Sequence, residues 1–421
     1  STTAVLNAWV NSRHKEAPER AHAFFEKMLA MGNDTQTNVV ASNIVIQSWA
    51  TSGRGRAAAL KAEEVLRSIE QETKDENRPD VLSYAKVLYA WAQCEKLEGA
   101  GDASKRATEI LELMLSMKEI GLKVEPNVYC FTTCISSWAK CKGVPEAPLE
   151  AEKLLDKLIE LYKATGEKQY CPNLRVFNAT IAAWIRSQER DSLERAIRIK
   201  QRMTEFTSPD TVTHNTILSR YAQQGRGAEA LEYLDMMQAE GSVPDRITNN
   251  TVLAAVAKDD SDNAAQNASD FLRKMEASDI GVDKVSYGTV LNAWSRSYDP
   301  DRVFRAEALV STLGEKYEAG SSMLKPDVYI FSTLMKCCSS MENTDAARNA
   351  QILAISENAF NCVHRYSQPN SIVFATHLLN LKRFSDDAYY RKTRIEATFS
   401  DCIDHGLVSR KLLEVIGDEI V

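Results

Sequence analysis

Glycine and proline are scarce in this 421-residue sequence, with 17 and 11 copies. No stretch approaches the roughly 18 consecutive apolar residues that a membrane helix needs, so no membrane partner is expected. The 51 basic residues are outnumbered by 58 acidic ones, and the net charge is −7. This balance disfavours a protein that holds nucleic acid by bulk charge alone, so any such site must be local.

The usual signatures of catalysis and metal binding are also missing. None of the nine cysteines forms a Cys-x-x-Cys pair, the six histidines show no metal-ligand spacing, and no glycine-rich phosphate loop occurs. Cys130 and Cys134, like the adjacent Cys337 and Cys338, are expected to be core residues of helices. We therefore expect no enzyme, no cofactor, no metal site and no small-molecule substrate.

What the sequence does contain is a repeat, and tryptophan marks it. Every tryptophan closes the same local pattern of apolar and small residues, as in Val-Leu-Tyr-Ala-Trp91. The tryptophans are Trp9, Trp49, Trp91, Trp138, Trp184 and Trp294, and Tyr221, Val256, Cys338 and Leu381 continue the same phase. The spacing of 35 to 47 residues along this series predicts an array of stacked structural units.

An Asp or Asn lies eleven residues before each of these positions except Trp9, usually directly after a proline. The residue before a proline avoids the helical conformation, and a short Asp or Asn side chain caps the helix that follows. These residues are therefore predicted to begin helices: Asn38, Asp80, Asn127, Asn173, Asp210, Asp245, Asp283, Asp327 and Asn370.

Each boundary is followed by an apolar pattern of period 3.6, as in Tyr84, Val87, Leu88 and Trp91, and then by a second helical segment. Two such helices cannot bury their apolar faces alone, so neighbouring units must stack. The predicted fold is an all-α solenoid of helix-turn-helix repeats. We expect about nine units over residues 1–375, the first of them truncated, and a degenerate final repeat with a helical cap over 376–421.

The unit resembles the pentatricopeptide repeat family in its plain P-type form, and residues 209–241, from Pro209-Asp210 through Asn215 to Gly241, are a near-standard copy. Several units are longer than is usual in the family. Their extra polar residues, at 70–77, 94–102 and 162–168, are expected to form loops that could disturb the spacing between units. The tetratricopeptide family, whose members are protein-binding scaffolds, is the alternative.

The resemblance implies a right-handed superhelix that binds single-stranded RNA, one base per repeat, and that acts on RNA processing, stability or translation in a mitochondrion or plastid, with possible recruited protein factors. In the family, a residue early in the first helix and the residue at the next boundary contact one base. The corresponding couples are Thr3 with Asn38, Asn43 with Asp80, Ala85 with Asn127, Thr132 with Asn173, Asn178 with Asp210, Asn215 with Asp245, Asn250 with Asp283, Gly288 with Asp327, and Ser332 with Asn370.

By this resemblance, Asn with Asp is a uracil couple, and Thr or Ser with Asn is an adenine couple. The couples of Ala85 and Gly288 are unassigned, and Ala375 has no partner. The implied RNA is 5′-A-U-n-A-U-U-U-n-A-n-3′, where n is unread. The alternative for each boundary residue taken singly is a plain helix cap.

A further residue of each unit is expected to wedge against the base faces. The wedge positions are Val40, Leu82, Tyr129, Arg175, Val212, Ile247, Val285, Tyr329 and Ile372, of which Arg175 departs from the apolar pattern. Basic clusters, at Lys105-Arg106, in 195–202 and in 382–394, are expected mainly on solvated helix faces, with phosphate contacts wherever they border the RNA.

Overall fold

The structure is a computed structural model that describes residues 2–12, 14–30, 36–70, 78–94, 100–278, 280–343 and 345–417, with main chain alone at 2, 36–38, 100, 411 and 416. Within these ranges the chain forms 21 α-helices and no strand, which confirms the all-α prediction. No helix within these ranges is both long and apolar enough to cross a membrane.

The helices alternate along the chain as the first and second members of successive hairpins. The odd-numbered ones are α1 (Thr2–Asn11), α3 (Gln36–Thr51), α5 (Val81–Ala92), α7 (Val128–Lys140), α9 (Leu174–Arg186), α11 (Thr211–Gln224), α13 (Arg246–Ala257), α15 (Lys284–Arg296), α17 (Val328–Ser339), α19 (Ser371–Phe384) and α21 (Arg410–Ile416). The even-numbered ones are α2 (Ala17–Ala30), α4 (Arg56–Glu70), α6 (Ala100–Glu119), α8 (Ala147–Thr165), α10 (Ser192–Met203), α12 (Gly227–Ala239), α14 (Ala264–Glu276), α16 (Arg302–Glu318), α18 (Ala346–Tyr366) and α20 (Ala388–Asp404).

The chain forms two compact units, Ser1–Ile217 and Leu218–Val421. In the first, α1, α3, α5, α7 and α9 pack side by side in chain order, and α2, α4, α6 and α8 each pack against the odd helices before and after them. In the second, α13, α15, α17 and α19 form the same kind of row. Each unit is therefore a two-layer helical stack, as expected of a solenoid repeat.

Asp and Asn side chains begin the odd helices as predicted. The Asp80 carboxylate, for example, accepts a hydrogen bond from the main-chain N–H of Ser83 at 2.8 Å, which satisfies one of the donors left over at a helix start. The same capping occurs at Asn127, Asn173, Asp210, Asp245, Asp283, Asp327 and Asn370. Asn38 lies inside α3, and its side chain is outside the described residues.

The register of the tryptophans has a polar cause as well as an apolar one. The indole N–H of Trp91 donates to Glu63 at 3.0 Å, and that of Trp184 donates to Glu152 at 2.9 Å. Trp138 and Trp294 donate in the same way to Thr108 and Ser269. Each acceptor lies on the even helix just before the tryptophan, so each buried indole bonds one hairpin to the next.

Glu63 shows how a buried carboxylate is held in this layer. Burial alone would raise the pKa of Glu63, but hydrogen bonds and charge from Arg106, Arg67 and Trp91 hold that pKa below its ordinary value. The carboxylate therefore stays ionised and accepts from all three side chains. Arg106, one of the predicted basic residues, is thus fixed in a structural network of the even helices.

The extra length of the long repeats lies largely in the even helices, which corrects the prediction of loops. Helices α6, α8, α16 and α18 have 20, 19, 17 and 21 residues, whereas α10, α12 and α14 have 12 or 13. Residues 100–102 belong to α6, and 162–165 belong to α8, which ends at Gly166 with a φ of 68°. Residues 71–77 and 95–99 lie outside the described residues.

The odd helices, by contrast, keep nearly one length. From α5 to α19 they have 12 to 14 residues each. The residues inserted in α6, α8, α16 and α18 therefore leave the helices that carry the predicted couples unchanged in length. The disturbance of spacing expected at these insertions stays a prediction.

The turn between α11 and α12 packs tightly against the end of α13. Gly225 has a φ of +69°, and a Cβ there would lie 2.6 Å from the main-chain oxygen of Lys258. A Cβ on Gly227 would lie 2.8 Å from Val256 Cα. Glycine is required at both positions because any side chain would meet the backbone of the next repeat.

The last hairpin packs α19 against both α20 and α21. Residue 375, the predicted end of the array, lies within α19. The division of the chain into an array and a terminal cap stays a prediction.

Candidate nucleic-acid interface

In each compact unit the predicted wedge positions are exposed, and all of them except Arg175 are apolar. From α5 to α19, each is the second residue of an odd helix, where it precedes the first buried core position. Their exposed fractions lie between 51% and 64% for Val40, Leu82, Tyr129, Val212, Ile247, Val285, Tyr329 and Ile372, and Arg175 is exposed too. Apolar exposure that recurs at one helical position across side-by-side helices is typical of a binding surface.

In three of the four Asn and Asp couples, both residues belong to the same compact unit and their side chains are in contact. Asn43 Nδ2 lies 3.2 Å from Asp80 Oδ1, Asn178 Nδ2 lies 3.2 Å from Asp210 Oδ1, and Asn250 Nδ2 lies 3.4 Å from both oxygens of Asp283. In the fourth couple, Asn215 belongs to the first unit and Asp245 to the second.

Capping engages only one oxygen of the aspartates in these contacts. Asp80 Oδ1 accepts from the main-chain N–H and the hydroxyl of Ser83 and from the amide of Asn43. Asp210 Oδ1 accepts from the main-chain N–H of Thr213 and from the amide of Asn178. Within the described part of the chain no hydrogen bond engages Oδ2 of either residue. Helix capping and recognition of a ligand are therefore compatible in one carboxylate, because the two tasks use different oxygens.

The carboxylate of Asp210 is ionised at neutral pH. Burial would raise its pKa, but hydrogen bonds from Thr213 and Asn178 hold the pKa below its ordinary value. An ionised carboxylate accepts hydrogen bonds and donates none, so Asp210 is suited to a ligand that presents an N–H group.

A buried hydroxyl orients the amide in two of these couples. Thr213 donates to Asn178 Oδ1 at 2.6 Å, and Ser286 donates to Asn250 Oδ1 at 2.7 Å. Because the amide oxygen takes the hydroxyl proton, Nδ2 must face the carboxylate. These hydroxyl residues were missed by the sequence reasoning.

A sequence signal for them exists. A Ser or Thr follows the boundary Asp by three residues at Ser83, Thr213, Thr248 and Ser286, and all four are fully buried. The other boundaries have Cys130, Val176, Ile330 and Val373 at that place. The motif Asp-x-x-Ser/Thr therefore separates the four predicted uracil couples from the other couples whose boundary side chains are described.

Comparisons with known proteins agree with this architecture. Residues 209–258 match the model of the PPR repeat family. A pentatricopeptide repeat-containing protein of Arabidopsis thaliana is 25% identical over 227 residues, which are 53% of this chain and 35% of that protein. The chain is thus similar to proteins of the pentatricopeptide repeat family. It spans about a third of the length of this curated relative.

A crystal structure of a pentatricopeptide repeat protein shares the fold of this chain. The crystal structure of the maize protein PPR10 aligns over 99% of the chain and 61% of its own, with a TM-score of 0.53 and 18% identity. The same maize protein in complex with an 18-nt psaJ RNA element aligns with a TM-score of 0.43 and 16% identity, over 99% of this chain and 57% of its own.

The predicted adenine couples are built differently from the predicted uracil couples. The hydroxyl of Thr132 donates to Val128 O at 2.6 Å, and that of Ser332 donates to Tyr329 O at 3.0 Å. Oδ1 of Asn173 and of Asn370 caps a helix. Among the described residues nothing engages Nδ2 of these two asparagines, so each couple offers an amide donor and a hydroxyl acceptor. Thr3 lies on α1, and the side chain of Asn38, its predicted partner, is outside the described residues.

The two unassigned couples have no polar side chain on the helix. Ala85 is buried, and Asn127 caps Tyr129 and Cys130. In the other unassigned couple, Gly288 with Asp327, Lys284 Nζ lies 2.8 Å from Asp327 Oδ2. This ion pair raises the pKa of Lys284 and occupies the oxygen that Asp80 and Asp210 leave open.

Gly288 leaves space beside Asp327. A cavity of about 510 Å³ lies there, and Lys284, Val285, Gly288, Asp327 and Tyr329 are among its lining residues. A Cβ on Gly288 would meet Tyr329 Cε1 at 3.4 Å, a contact that a small movement of the ring can accommodate.

The predicted basic clusters lie mostly on even helices and are paired with acids. Arg195 contacts Asp191 and Glu152, and Arg202 contacts Asp156. Three arginines that end odd helices instead donate to the last turn of the preceding odd helix. These bonds are Arg186 to Ala139 O, Arg296 to Ala257 O and Arg383 to Ser339 O. They fasten neighbouring odd helices to each other.

Proposed function

We propose that this chain binds single-stranded RNA in a sequence-selective manner, one base per repeat, along the odd helices. The observation that carries the proposal is the recurrence of an exposed apolar side chain beside an Asn and Asp contact whose carboxylate keeps one oxygen open. Unpaired RNA suits such a surface because its base edges and faces are both accessible. The family model matched is that of a repeat and not of an enzyme.

The Asn and Asp couples fit uracil. The ring N–H of uracil can donate to the open carboxylate oxygen, and its carbonyl oxygen can accept the second amide proton of the asparagine, since only one amide proton faces the Asp. Adenine presents an acceptor and an amino donor instead. It fits the couples in which an asparagine Nδ2 and a hydroxyl lone pair are available, as at Thr132 with Asn173.

The wedge residues supply affinity without selectivity. Aliphatic and aromatic side chains in contact with base faces accept any base, so the wedge residues of each compact unit would hold the strand while the couples choose among bases. The proposed target is 5′-A-U-n-A-U-U-U-n-A-n-3′, read in the direction that the family resemblance implies. Action in an organelle, on the processing, stability or translation of a transcript, is proposed from the family alone.

Fluorescence anisotropy at one fixed salt concentration tests the proposal, because RNA affinities depend steeply on salt. The proposed RNA should bind more tightly than a scrambled RNA and than a DNA of the same sequence. In the double variant Asn250→Thr with Asp283→Asn, preference at the seventh base should move from U to A. We expect about 1–3 kcal/mol per matched base, by analogy with bidentate readout in DNA. Equal affinity for proposed and scrambled RNA would refute the proposal.

A protein-binding scaffold is the second candidate, and the net charge of −7 favours it. The carboxylates beside exposed apolar side chains would then receive a basic, apolar peptide. Failure of RNA binding, together with capture of a Lys-rich and Leu-rich peptide that is lost in Asp80→Ala and Asp283→Ala, would favour the scaffold.

A further inference from the structure

We propose that the chain carries a site for a divalent transition-metal ion of the Zn²⁺ class, formed by His364, Asp401 and His405. One ring nitrogen from each histidine and a carboxylate oxygen of Asp401 lie within 4.8 Å of one another. The proposal is independent of RNA binding, because α18 and α20, which carry these residues, are even helices.

Two helices supply the three side chains in complementary ways. Asp401 and His405 lie four residues apart on one face at the end of α20, and His405 Nδ1 is 3.1 Å from Asp401 Oδ1. His364, near the end of α18, places Nε2 at 3.5 Å from Asp401 Oδ2. The chain separation of α18 and α20 explains why the spacing of histidines along the sequence gave no metal pattern.

The distances suit a small tetrahedral ion. Zn²⁺ bonds nitrogen and carboxylate oxygen at about 2.0–2.2 Å, which sets neighbouring ligand atoms about 3.3 Å apart. Each imidazole lies close to that value from one oxygen of the carboxylate, His405 at 3.1 Å from Oδ1 and His364 at 3.5 Å from Oδ2. His405 Nδ1 also lies 2.9 Å from the main-chain oxygen of Asp401, so the ring must give up that hydrogen bond and its Nδ1 proton when the ion binds.

Aromatic packing holds the two imidazoles in place. The rings of His364 and His405 have their centroids 5.7 Å apart at 70°, and Phe374 packs at about 6 Å from both. Phe360 packs against His364 at 5.0 Å. Rings fixed in this way reduce the rearrangement that metal binding requires.

The donor set selects the class of ion. Two imidazoles with one carboxylate suit Zn²⁺, Co²⁺, Ni²⁺ or Cu²⁺, whereas Mg²⁺ and Ca²⁺ prefer sites made wholly of oxygen ligands. The three side chains are 31% to 36% exposed, so an ion can enter from solvent and keep a water molecule in a fourth position. The bound ion would join α18 to α20 and so fasten the last hairpin to its neighbour.

Titration calorimetry of the full chain after treatment with a chelator tests the proposal. With ZnCl2 we expect saturable binding of one ion per chain at micromolar concentration or below, and with MgCl2 none. His364→Gln, Asp401→Asn and His405→Gln should each weaken Zn²⁺ binding at least about tenfold, the lower end of what altering the surroundings of a metal ligand does. The matched control is His14→Gln, which changes an exposed histidine elsewhere and should leave binding unchanged.

Histidine-ring NMR of the wild-type chain gives a measurement that needs no variant. On addition of ZnCl2 the ring signals of two of the six histidines should shift. One of these two signals should be absent from the spectrum of His364→Gln and the other from that of His405→Gln. The proposal is overturned if Zn²⁺ does not bind, if it binds equally well to all three variants, or if the shifted signals belong to other histidines.

Discussion

At two neighbouring repeat boundaries of the second compact unit, an Asp caps the next helix in the same way but has a different further partner. Asp283, between α13 and α15, faces the amide of Asn250, whereas Asp327, between α15 and α17, faces Gly288 and is bound by Lys284. Both carboxylates cap their helices through Oδ1. The difference shows that capping does not distinguish the two borders, and that the partner of the second oxygen does.

The largest expected effect comes from removing each carboxylate in turn. Asp283→Ala and Asp327→Ala both delete a cap, so each should lower the free energy of unfolding by about 1 kcal/mol. Only Asp283→Ala should also weaken binding of the proposed RNA, by about 1–3 kcal/mol. Thermal melts and anisotropy measure the two effects. Equal losses of RNA affinity would show that the borders are equivalent after all.

Tyr329 gives the next largest effect, because the unread border should still hold a base by stacking. Tyr329→Ala should lower RNA affinity by about 1–2 kcal/mol and leave selectivity at the eighth base unchanged. The control is Tyr298→Ala, which removes a tyrosine that is 93% exposed and is not at a wedge position. Anisotropy with four RNAs that differ at the eighth base makes the measurement. A similar loss in both variants would argue against stacking at Tyr329.

The unread border should become a uracil couple when its side chains are exchanged. Lys284→Ala together with Gly288→Asn opens the second oxygen of Asp327 and supplies the missing amide. We expect a new preference for U at the eighth base of about 1 kcal/mol. Lys284→Ala alone is the control and should leave that base without preference. If the double variant also lacks one, the couple does not suffice for recognition.

The smallest effect belongs to the hydroxyl that orients the amide. In Ser286→Ala, Asn250 loses the donor to its Oδ1, so the amide can turn over, and preference for U at the seventh base should fall by about 0.5–1 kcal/mol. Ser286→Thr should restore it, since Thr213 does the same at Asn178. Full preference in Ser286→Ala would show that the hydroxyl serves the helix cap alone.

The sequence predicted what depends on local rules. Asp80 and Asn127 begin helices because their side chains bond to main-chain groups two or three residues away, and Trp91 and Trp184 mark the repeat because each is buried at the same helical position. Relations between residues far apart in sequence escaped it. The bond from Trp184 to Glu152 and the pair of Lys284 with Asp327 depend on how hairpins stack.

The sequence did not predict the full length of α8, for a related reason. Tyr162 to Thr165 read as a polar stretch with few apolar positions, yet they continue a helix whose earlier turns are anchored by buried residues such as Leu155 and Leu158. A helix that is already formed adds further turns at little cost until a residue such as Gly166 ends it.

Confining the added residues chiefly to the even helices has a consequence for how such chains can diverge. A deletion or duplication of a turn in α6 or α18 alters the outer layer of the stack while neighbouring odd helices keep their mutual packing. Relatives can therefore differ in repeat length while the positions that would meet successive nucleotides keep their relative placement. New surfaces can then arise in the layer of even helices.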